Sequence, residues 1–521
     1  MPASASLNHD LLPDSALAEV AKLFDDAVAE HRTSGLTWAI IGGHESATPL
    51  LAHGAAGHRA LAGGEPVPGT GEMDRETISR IASMTKSFTA ATILALRDEG
   101  RLDLDTPISE LVPEAAGLGT GTPDVPAITP RLLLTMSAGL ITDNPWGDRQ
   151  QAMSREEFDR QIRAGLGQVH LPGTGFEYSN TGFALLGRVI DEITGEDFGA
   201  EITRRFLQPL GMTSSGFALD QVDESRVAIG HRLADRTDAT RFERVEFDDH
   251  GVYGAMAGIF STVDDIAAWV RFLAAADAPD SARRDQSLLC TASRREMQQL
   301  HRLSPSAPLP AGEDGVSPGF DRIRGYGYGL VIEQFPDLGE IISHSGGYPG
   351  YGSFMAWHRE SGVGIVALGN SKYAPAVPLS MQALRVLLRD APQLMARRAK
   401  VALPRTLEAA GPALAWLRTG DDAVADAWFA DNMDLDVPRD ERTRRRDAVL
   451  QAAGLDVSAL EKLSVEDATV LSAAHLRWDL EGADADGPAV RIDMLIDPRA
   501  EARIQALELS DPKDKRAARN F

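Results

Sequence analysis

The stretch SMTKSFTAATILALRDEG, residues 83–100, carries most of the fold prediction. The pattern predicts one helix from Ser83 to Glu99, ended by Gly100, because glycine readily adopts the left-handed conformation that closes helices. Apolar residues cover nearly its whole circumference, which is typical of a buried helix. Ser83 and Lys86 are three residues apart, so on a helix they share a face with Cβ atoms about 5–6 Å apart.

Ser83 and Lys86 are residue types that together can form an activated nucleophile. A serine hydroxyl attacks poorly until a neighbour takes its proton. A lysine on a buried helix loses hydration, so its pKa falls and the neutral amine can accept that proton. Ser83 also lies at the helix N-terminus, where free N–H groups favour a developing anion. A second Ser-x-x-Lys, Ser510 to Lys513, contains a proline and lies in a charged tail, so the spacing alone is weak evidence.

Tyr178-Ser179-Asn180 is the second candidate motif, after the Pro172-Gly173 turn signal and before an apolar helical run. A tyrosine phenol can relay a proton if cations depress its pKa, and an asparagine amide can bind a substrate amide. The alternative is structural: Tyr178 as a half-buried core residue and Asn180 as a helix N-cap.

His344-Ser345-Gly346-Gly347 is the third candidate, at the end of a predicted strand. Gly346 and Gly347 leave room for a ligand along the strand edge. A backbone N–H there, with that of Ser83, could form an oxyanion hole. A plain glycine turn after an edge strand is the alternative.

In this order, the three motifs resemble those of the class C β-lactamase-like and penicillin-binding-protein-like serine hydrolases, which include D,D-peptidases, D-aminopeptidases and esterases. The family motifs are Ser-x-x-Lys, Tyr-x-Asn and Lys/His-x-Gly. The segment 133–140, LLTMSAGL, also resembles a family signature, although Met136 stands where histidine is more usual. The likeness covers about residues 15–398. It implies an α/β (α+β) serine β-lactamase-like fold, an antiparallel sheet flanked by helices with a helical subdomain.

The resemblance implies a role for each motif residue. Ser83 would be acylated, Lys86 and Tyr178 would share the work of the base, and Asn180 would orient the substrate. Gly347 would supply an oxyanion N–H together with Ser83.

His344, with Gly346 two residues later, stands where β-lactamases of this class usually have lysine. A permanent cation there helps to hold the carboxylate of a β-lactam, whereas histidine is mostly neutral at pH 7. We therefore expect weak β-lactamase activity at most, while peptide bonds stay open as substrates.

Two domains are predicted: a catalytic domain over 1–398 with a helical insertion at about 105–247, and a small α+β domain over 399–521. The role of the second is open between homo-oligomerisation and shaping of the substrate cleft. Strands are expected at 36–42, 50–58, 341–345, 351–358 and 363–369, and a closing helix at 379–398.

Composition restricts the partners. The formal net charge of −24 argues against nucleic acid and anionic membranes, which need basic surface. The single cysteine excludes an intrachain disulfide, and no metal or cofactor motif is found. The N-terminus lacks the features of a signal peptide and no run of about 18 apolar residues exists, so we expect a cytoplasmic protein.

The predicted function is hydrolysis of a small ester, amide or short peptide through an acyl-enzyme on Ser83, without cofactor or metal. An esterase and a D-specific peptidase or amidase remain alternatives. An acyltransferase or peptide cyclase would use the same residues. A penicillin-binding-type sensor that acylates without turnover belongs to a different functional class.

Overall fold

The structure is a computed structural model of the 521-residue chain. The chain folds into two compact units, residues 1–397 and 398–521. The residues described are 12–118, 121–122, 124–235, 237–278, 288–304, 322–372, 374–395, 400–481 and 488–513.

The first unit is built around an eight-stranded antiparallel sheet, in the order β2-β1-β14-β13-β12-β11-β10-β9. Strands β1, β13 and β14 are buried along their whole length. The strands of this unit are β1 Gly35–Ile41, β2 Leu50–Gly57, β3 Leu61–Ala62, β4 Glu65–Pro66, β5 Ser79–Arg80, β6 His231–Asp235, β7 Asp238–Arg244, β8 Phe260–Ser261, β9 Arg302–Leu303, β10 Ile323–Tyr326, β11 Val331–Phe335, β12 Gly339–Tyr348, β13 Tyr351–His358 and β14 Gly364–Gly369.

Helices cover both faces of the sheet. Helices α1 and α12 pack on one face, while α2 and α10 pack on the other. The helices are α1 Asp14–Ala29, α2 Thr85–Asp98, α3 Ile108–Leu111, α4 Pro130–Leu134, α5 Asn144–Gly147, α6 Arg155–Ala164, α7 Asn180–Thr194, α8 Phe198–Ile202, α9 Gly254–Ala257, α10 Val263–Ala274, α11 Thr291–Met297 and α12 Ala376–Asp390.

The helix predicted from residue 83 is buried as expected, since every residue of α2 from Thr85 to Leu96 is buried. Its start differs from the prediction: Ser83 lies in a 3₁₀ turn, Ala82–Met84, that precedes α2. Strand β12 is also longer than predicted. It continues through Gly346 and Gly347 because the hairpin turns at Pro349-Gly350, where Gly350 has φ +94°.

Two predicted helical segments need correction. The insertion is not helical throughout, because 231–244 contains the hairpin β6–β7, whose Asp235 and Asp238 accept hydrogen bonds from the threonine two residues later. The predicted helix 379–398 runs instead over Ala376–Asp390. Pro392 lacks the N–H needed to continue it, and a short 3₁₀ helix, Pro392–Met395, follows. Residues 396–398 lie outside the described residues.

The second unit packs helices on a four-stranded antiparallel sheet, in the order β15-β16-β17-β18, around a core that includes Trp416 and Trp478. The elements are α13 Pro404–Thr419, α14 Asp422–Trp428, α15 Asp431–Asp436, α16 Arg439–Ala452, β15 Thr469–Ser472, β16 His475–Glu481, β17 Pro488–Ile496 and β18 Ile504–Ser510. Within the described ranges of both units, no helix has the length and apolar character needed to span a bilayer.

Candidate active site

Ser83 is held in a strained turn between β5 and α2. The preceding residue, Ala82, has φ +49°, a left-handed conformation that costs free energy for any residue with a Cβ atom. The main chain of Ile81 is fixed on both sides: its N–H donates to the Ile259 carbonyl, and its own carbonyl accepts from the Ser353 hydroxyl at 2.7 Å. The turn keeps the Ser83 side chain at the cleft while it remains only 7% exposed.

Lys86 lies one turn further on, with no exposed surface. Its Nζ is 2.9 Å from Ser83 Oγ, 2.8 Å from Asn180 Oδ1 and 3.3 Å from the Met256 carbonyl oxygen. Burial lowers the pKa of Lys86 to about 7, against the opposing effect of nearby carboxylates. An amine with this pKa is substantially neutral at physiological pH and can accept a proton from the serine.

Tyr178 completes this group, because its phenol is hydrogen-bonded to the Ser83 hydroxyl and its ring centroid lies 5.0 Å from Lys86 Nζ. The condition that cations depress the pKa of this phenol is not met. Burial raises it, and the Ser83 hydrogen bond only partly opposes that effect. Tyr178 therefore keeps its proton at neutral pH and can pass a proton between hydrogen-bonded partners without becoming a stable tyrosinate.

Asn180 is the first residue of α7 and is fully buried. Its Oδ1 accepts from Lys86, and its Nδ2 donates to Asn144 Oδ1 at 3.0 Å. The helix is capped by Ser179, whose hydroxyl accepts from the Gly182 N–H. Asn180 is therefore not the N-cap, and in this structure its amide holds the lysine.

His344 is buried, and the pKa of its imidazole is lowered to about 3, chiefly by burial and then by the Lys86 charge. Its Nδ1 lies 2.7 Å from the Ser345 carbonyl oxygen and its Nε2 lies 2.9 Å from the Tyr326 hydroxyl. A carbonyl only accepts, so Nδ1 carries the proton and Nε2 accepts from the phenol. The imidazole is neutral, with both nitrogens engaged.

Gly346 and Gly347 form the open edge of β12. Among the described strands, β11 pairs with β12 only as far as Ser343, and residues 344–348 pair with β13. Main-chain groups of an antiparallel strand alternate between its two sides, so part of this segment faces the cleft. A Cβ atom on Gly346 would lie 2.3 Å from the Ile81 carbonyl oxygen, so glycine is what allows the strand to approach the serine turn.

A cleft of about 640 Å³ joins these residues. Ser83, Tyr178, His344, Gly346 and Gly347 line it, while Lys86 and Asn180 lie behind Ser83. Sequence reasoning missed several residues around the cleft. Their positions become neighbours only on folding, and no short-range spacing ties them to Ser83: Asp143, Asn144, Asp148, Ser304, Arg324 and Tyr326.

Arg80 is a further residue that the sequence did not single out. Its side chain is 1% exposed, and its guanidinium carbon lies 4.5 Å from the Phe260 ring centroid and 4.7 Å from that of Tyr348. It donates to the Asp248 carbonyl oxygen at 2.8 Å, and the Tyr348 phenol donates to the Asp248 carboxylate. Arg80 precedes the serine turn and Tyr348 follows Gly347, so this network ties the two elements of the site together.

No group of three or more metal-ligating side chains was found in the part of the chain that the structure describes.

Comparison with known proteins agrees with this arrangement. The chain matches the Beta-lactamase family over residues 20–388. It is 29% identical over 299 residues to Protein flp of Staphylococcus aureus (strain COL), which covers 57% of this chain and 53% of that protein. It therefore spans about half the length of that relative. Penicillin-binding protein 4* of Bacillus subtilis (strain 168) is 25% identical over 361 residues, 67% of this chain and 71% of that one.

Solved structures share the fold. The octameric penicillin-binding protein homologue from Pyrococcus abyssi superposes with a TM-score of 0.57 at 21% identity, covering 95% of this chain and 99% of that one. D-amino acid amidase from Ochrobactrum anthropi SV3 gives 0.53 at 22% identity, covering 72% and 98%. The predicted fold class is thus confirmed, and the chain belongs to the Beta-lactamase family of penicillin-binding-protein-like serine hydrolases.

Proposed function

We propose that this protein hydrolyses a small ester or amide through an acyl-enzyme on Ser83. The observation that carries the proposal is the 2.9 Å separation of Lys86 Nζ from Ser83 Oγ in a buried site, with a lysine pKa of about 7. At neutral pH a buried amine with this pKa is substantially unprotonated, so it can act as a general base.

The proposed reaction has two halves. Neutral Lys86 takes the Ser83 proton, directly or through Tyr178, as Oγ bonds to the substrate carbonyl carbon. The N–H groups of Ser83 and Gly347 donate to the resulting oxyanion. The bond to the leaving group breaks, and that group receives the proton through the Tyr178 phenol. Water then attacks the acyl-enzyme, giving one proton to the same relay and releasing the acid, which restores Ser83.

The neutral state of His344 bears on the substrate. An imidazole with a pKa of about 3 supplies no cation for the carboxylate of a β-lactam, which supports the prediction of weak β-lactamase activity. Solved neighbours of this fold include a D-stereospecific amidohydrolase from Streptomyces sp. and a D-amino acid amidase. The names of these neighbours support an amide as an alternative substrate to an ester. An acyltransferase or cyclase would differ only in the acceptor that discharges Ser83.

We expect kcat/KM to rise with pH through about 7 and then level off. The reason is the sign of the lysine shift: below that pH Lys86 is an ammonium and cannot accept the serine proton, and above it the amine is free. A pH–rate profile with p-nitrophenyl acetate, corrected for spontaneous hydrolysis, measures this. A profile that falls between pH 6 and 8 would contradict the assignment of Lys86 as base.

A substrate panel tests the function itself. We expect multiple turnovers of p-nitrophenyl acetate or butyrate and poor turnover of nitrocefin, since His344 is neutral. D- and L-amino acid p-nitroanilides and D-Ala-D-Ala peptides compare amides with esters. A stoichiometric, undischarged adduct on Ser83 would instead favour the sensor, and fast nitrocefin hydrolysis would overturn the interpretation of His344.

Assembly and location remain proposals. The Pyrococcus abyssi homologue is described as octameric, which supports self-association of this chain. The expected cytoplasmic location rests on the sequence alone.

A further inference from the structure

The first turn of α12 and the two residues before it form a wall of the cleft. Four apolar residues of this wall line the space, namely Ala374, Pro375, Val377 and Pro378. Val377 is 39% exposed and Pro378 is also exposed, whereas Ala374 is buried, so the outer part of the wall faces solvent. Apolar side chains left open at a cleft indicate contact with a ligand more strongly than buried ones do.

This turn lacks the usual capacity of a helix N-terminus to bind anions, which depends on free N–H groups. Pro375 and Pro378 have no N–H. The Ala376 N–H donates to the Ala374 carbonyl oxygen at 2.7 Å, and the Leu379 N–H donates to that of Pro375 at 3.2 Å. Four of the five main-chain positions in residues 375–379 therefore offer no free N–H.

The wall adjoins the reacting segment. A Cβ atom on Gly352 would lie 2.4 Å from the Ala374 nitrogen, and Gly352 pairs directly with Gly347 on β12. Among the described lining residues, Arg324 is the only arginine or lysine, and it belongs to β10 and not to the wall. Its Nη1 donates to the Ser304 hydroxyl at 3.3 Å, and its Nε lies 3.6 Å from the Glu333 carboxylate. The described residues of the wall therefore contribute neither charge nor polar side chains.

We propose that the first turn of α12 is a subsite for an uncharged, apolar part of the substrate and that it selects against a carboxylate at this position. The inference rests on the proposed function, because it concerns the substrate of that cleft. The substrate class that follows is an ester or amide with an aliphatic or aromatic group beside Gly347. Each methylene buried against the wall should raise kcat/KM by about fourfold until the space is filled.

The test uses the full-length protein and two matched pairs of esters, each with a neutral and a carboxylate-bearing member of equal length. One pair varies the acyl chain and the other varies the phenol. In at least one pair, we expect the wild type to prefer the neutral ester by about tenfold or more in kcat/KM, since a carboxylate against the wall is unpaired. Val377→Lys should reduce that preference about tenfold, whereas Val377→Leu should retain it.

Controls separate the possible failures. Leu435→Lys changes an 85% exposed leucine of the second unit and should leave the preference unchanged. Val377→Thr is the milder variant and should weaken the dependence on chain length if Val377→Lys fails to fold. A fluorophosphonate probe reports on Ser83 independently. Normal labelling with an unchanged preference in folded Val377→Lys would overturn the subsite alone, whereas absence of labelling and turnover in wild type would overturn the proposed function with it.

Discussion

Ser83→Ala should abolish ester turnover, with kcat/KM falling by about 10⁴-fold or more, and Lys86→Met should cost about as much. Groups that act as one catalytic unit are not additive, so losing either removes most of the benefit of both. The double variant should therefore be hardly slower than either single one. Initial rates with p-nitrophenyl butyrate and mass spectrometry of the trapped acyl-enzyme measure the effect.

The chain contains its own matched control. Ser510 and Lys513 repeat the Ser-x-x-Lys spacing, but Ser510 ends strand β18. Ser510→Ala should keep full activity. Stability gives a second readout, because burial of the lysine amine costs free energy and methionine fills similar space. Lys86→Met should thus unfold at a similar or higher temperature while inactive. Activity within tenfold of wild type in this variant would remove Lys86 from the mechanism.

Tyr178→Phe should lower kcat by about 10²- to 10⁴-fold for an amide, the range expected for loss of a general acid or base. The ring, and with it the packing beside Lys86, is retained. The loss should be smaller for a p-nitrophenyl ester, because that leaving group departs without needing a proton. A difference between the two substrates is therefore the signature of proton transfer through the phenol.

Tyr328→Phe is the matched control for this variant. Tyr328 is a buried phenol outside the cleft lining, and it accepts a hydrogen bond from Arg131 at 2.7 Å. Its loss should change both substrates alike and by little. Equal losses of ester and amide hydrolysis in Tyr178→Phe would instead indicate that the phenol only positions Ser83.

Short-range sequence patterns were sufficient to predict part of the fold and part of the candidate site. The helical spacing that puts Ser83 and Lys86 on one face, and the apolar sequence that buries α2, are local properties. The downward direction of the lysine pKa follows from that burial and was predictable. The strands β13 and β14 were also evident from their apolar runs.

Other features depend on packing between distant parts of the chain. Tyr178 and His344 follow Ser83 by 95 and 261 residues, and no local pattern places them against it. The sign of the Tyr178 pKa shift could not be predicted from the sequence, because it depends on how completely neighbours exclude water, and this effect outweighs the lowering by Arg324.

One physical cause separates the features that local sequence predicts from those that depend on packing. Side-chain periodicity is set by backbone geometry within a few residues, so the sequence by itself determined the candidate nucleophile, its candidate base and the family. Desolvation and hydrogen-bond partners are sums over contacts from the whole unit. Only the tertiary structure could therefore decide that Tyr178 stays protonated, that burial keeps His344 neutral, and that Asn180 holds Lys86.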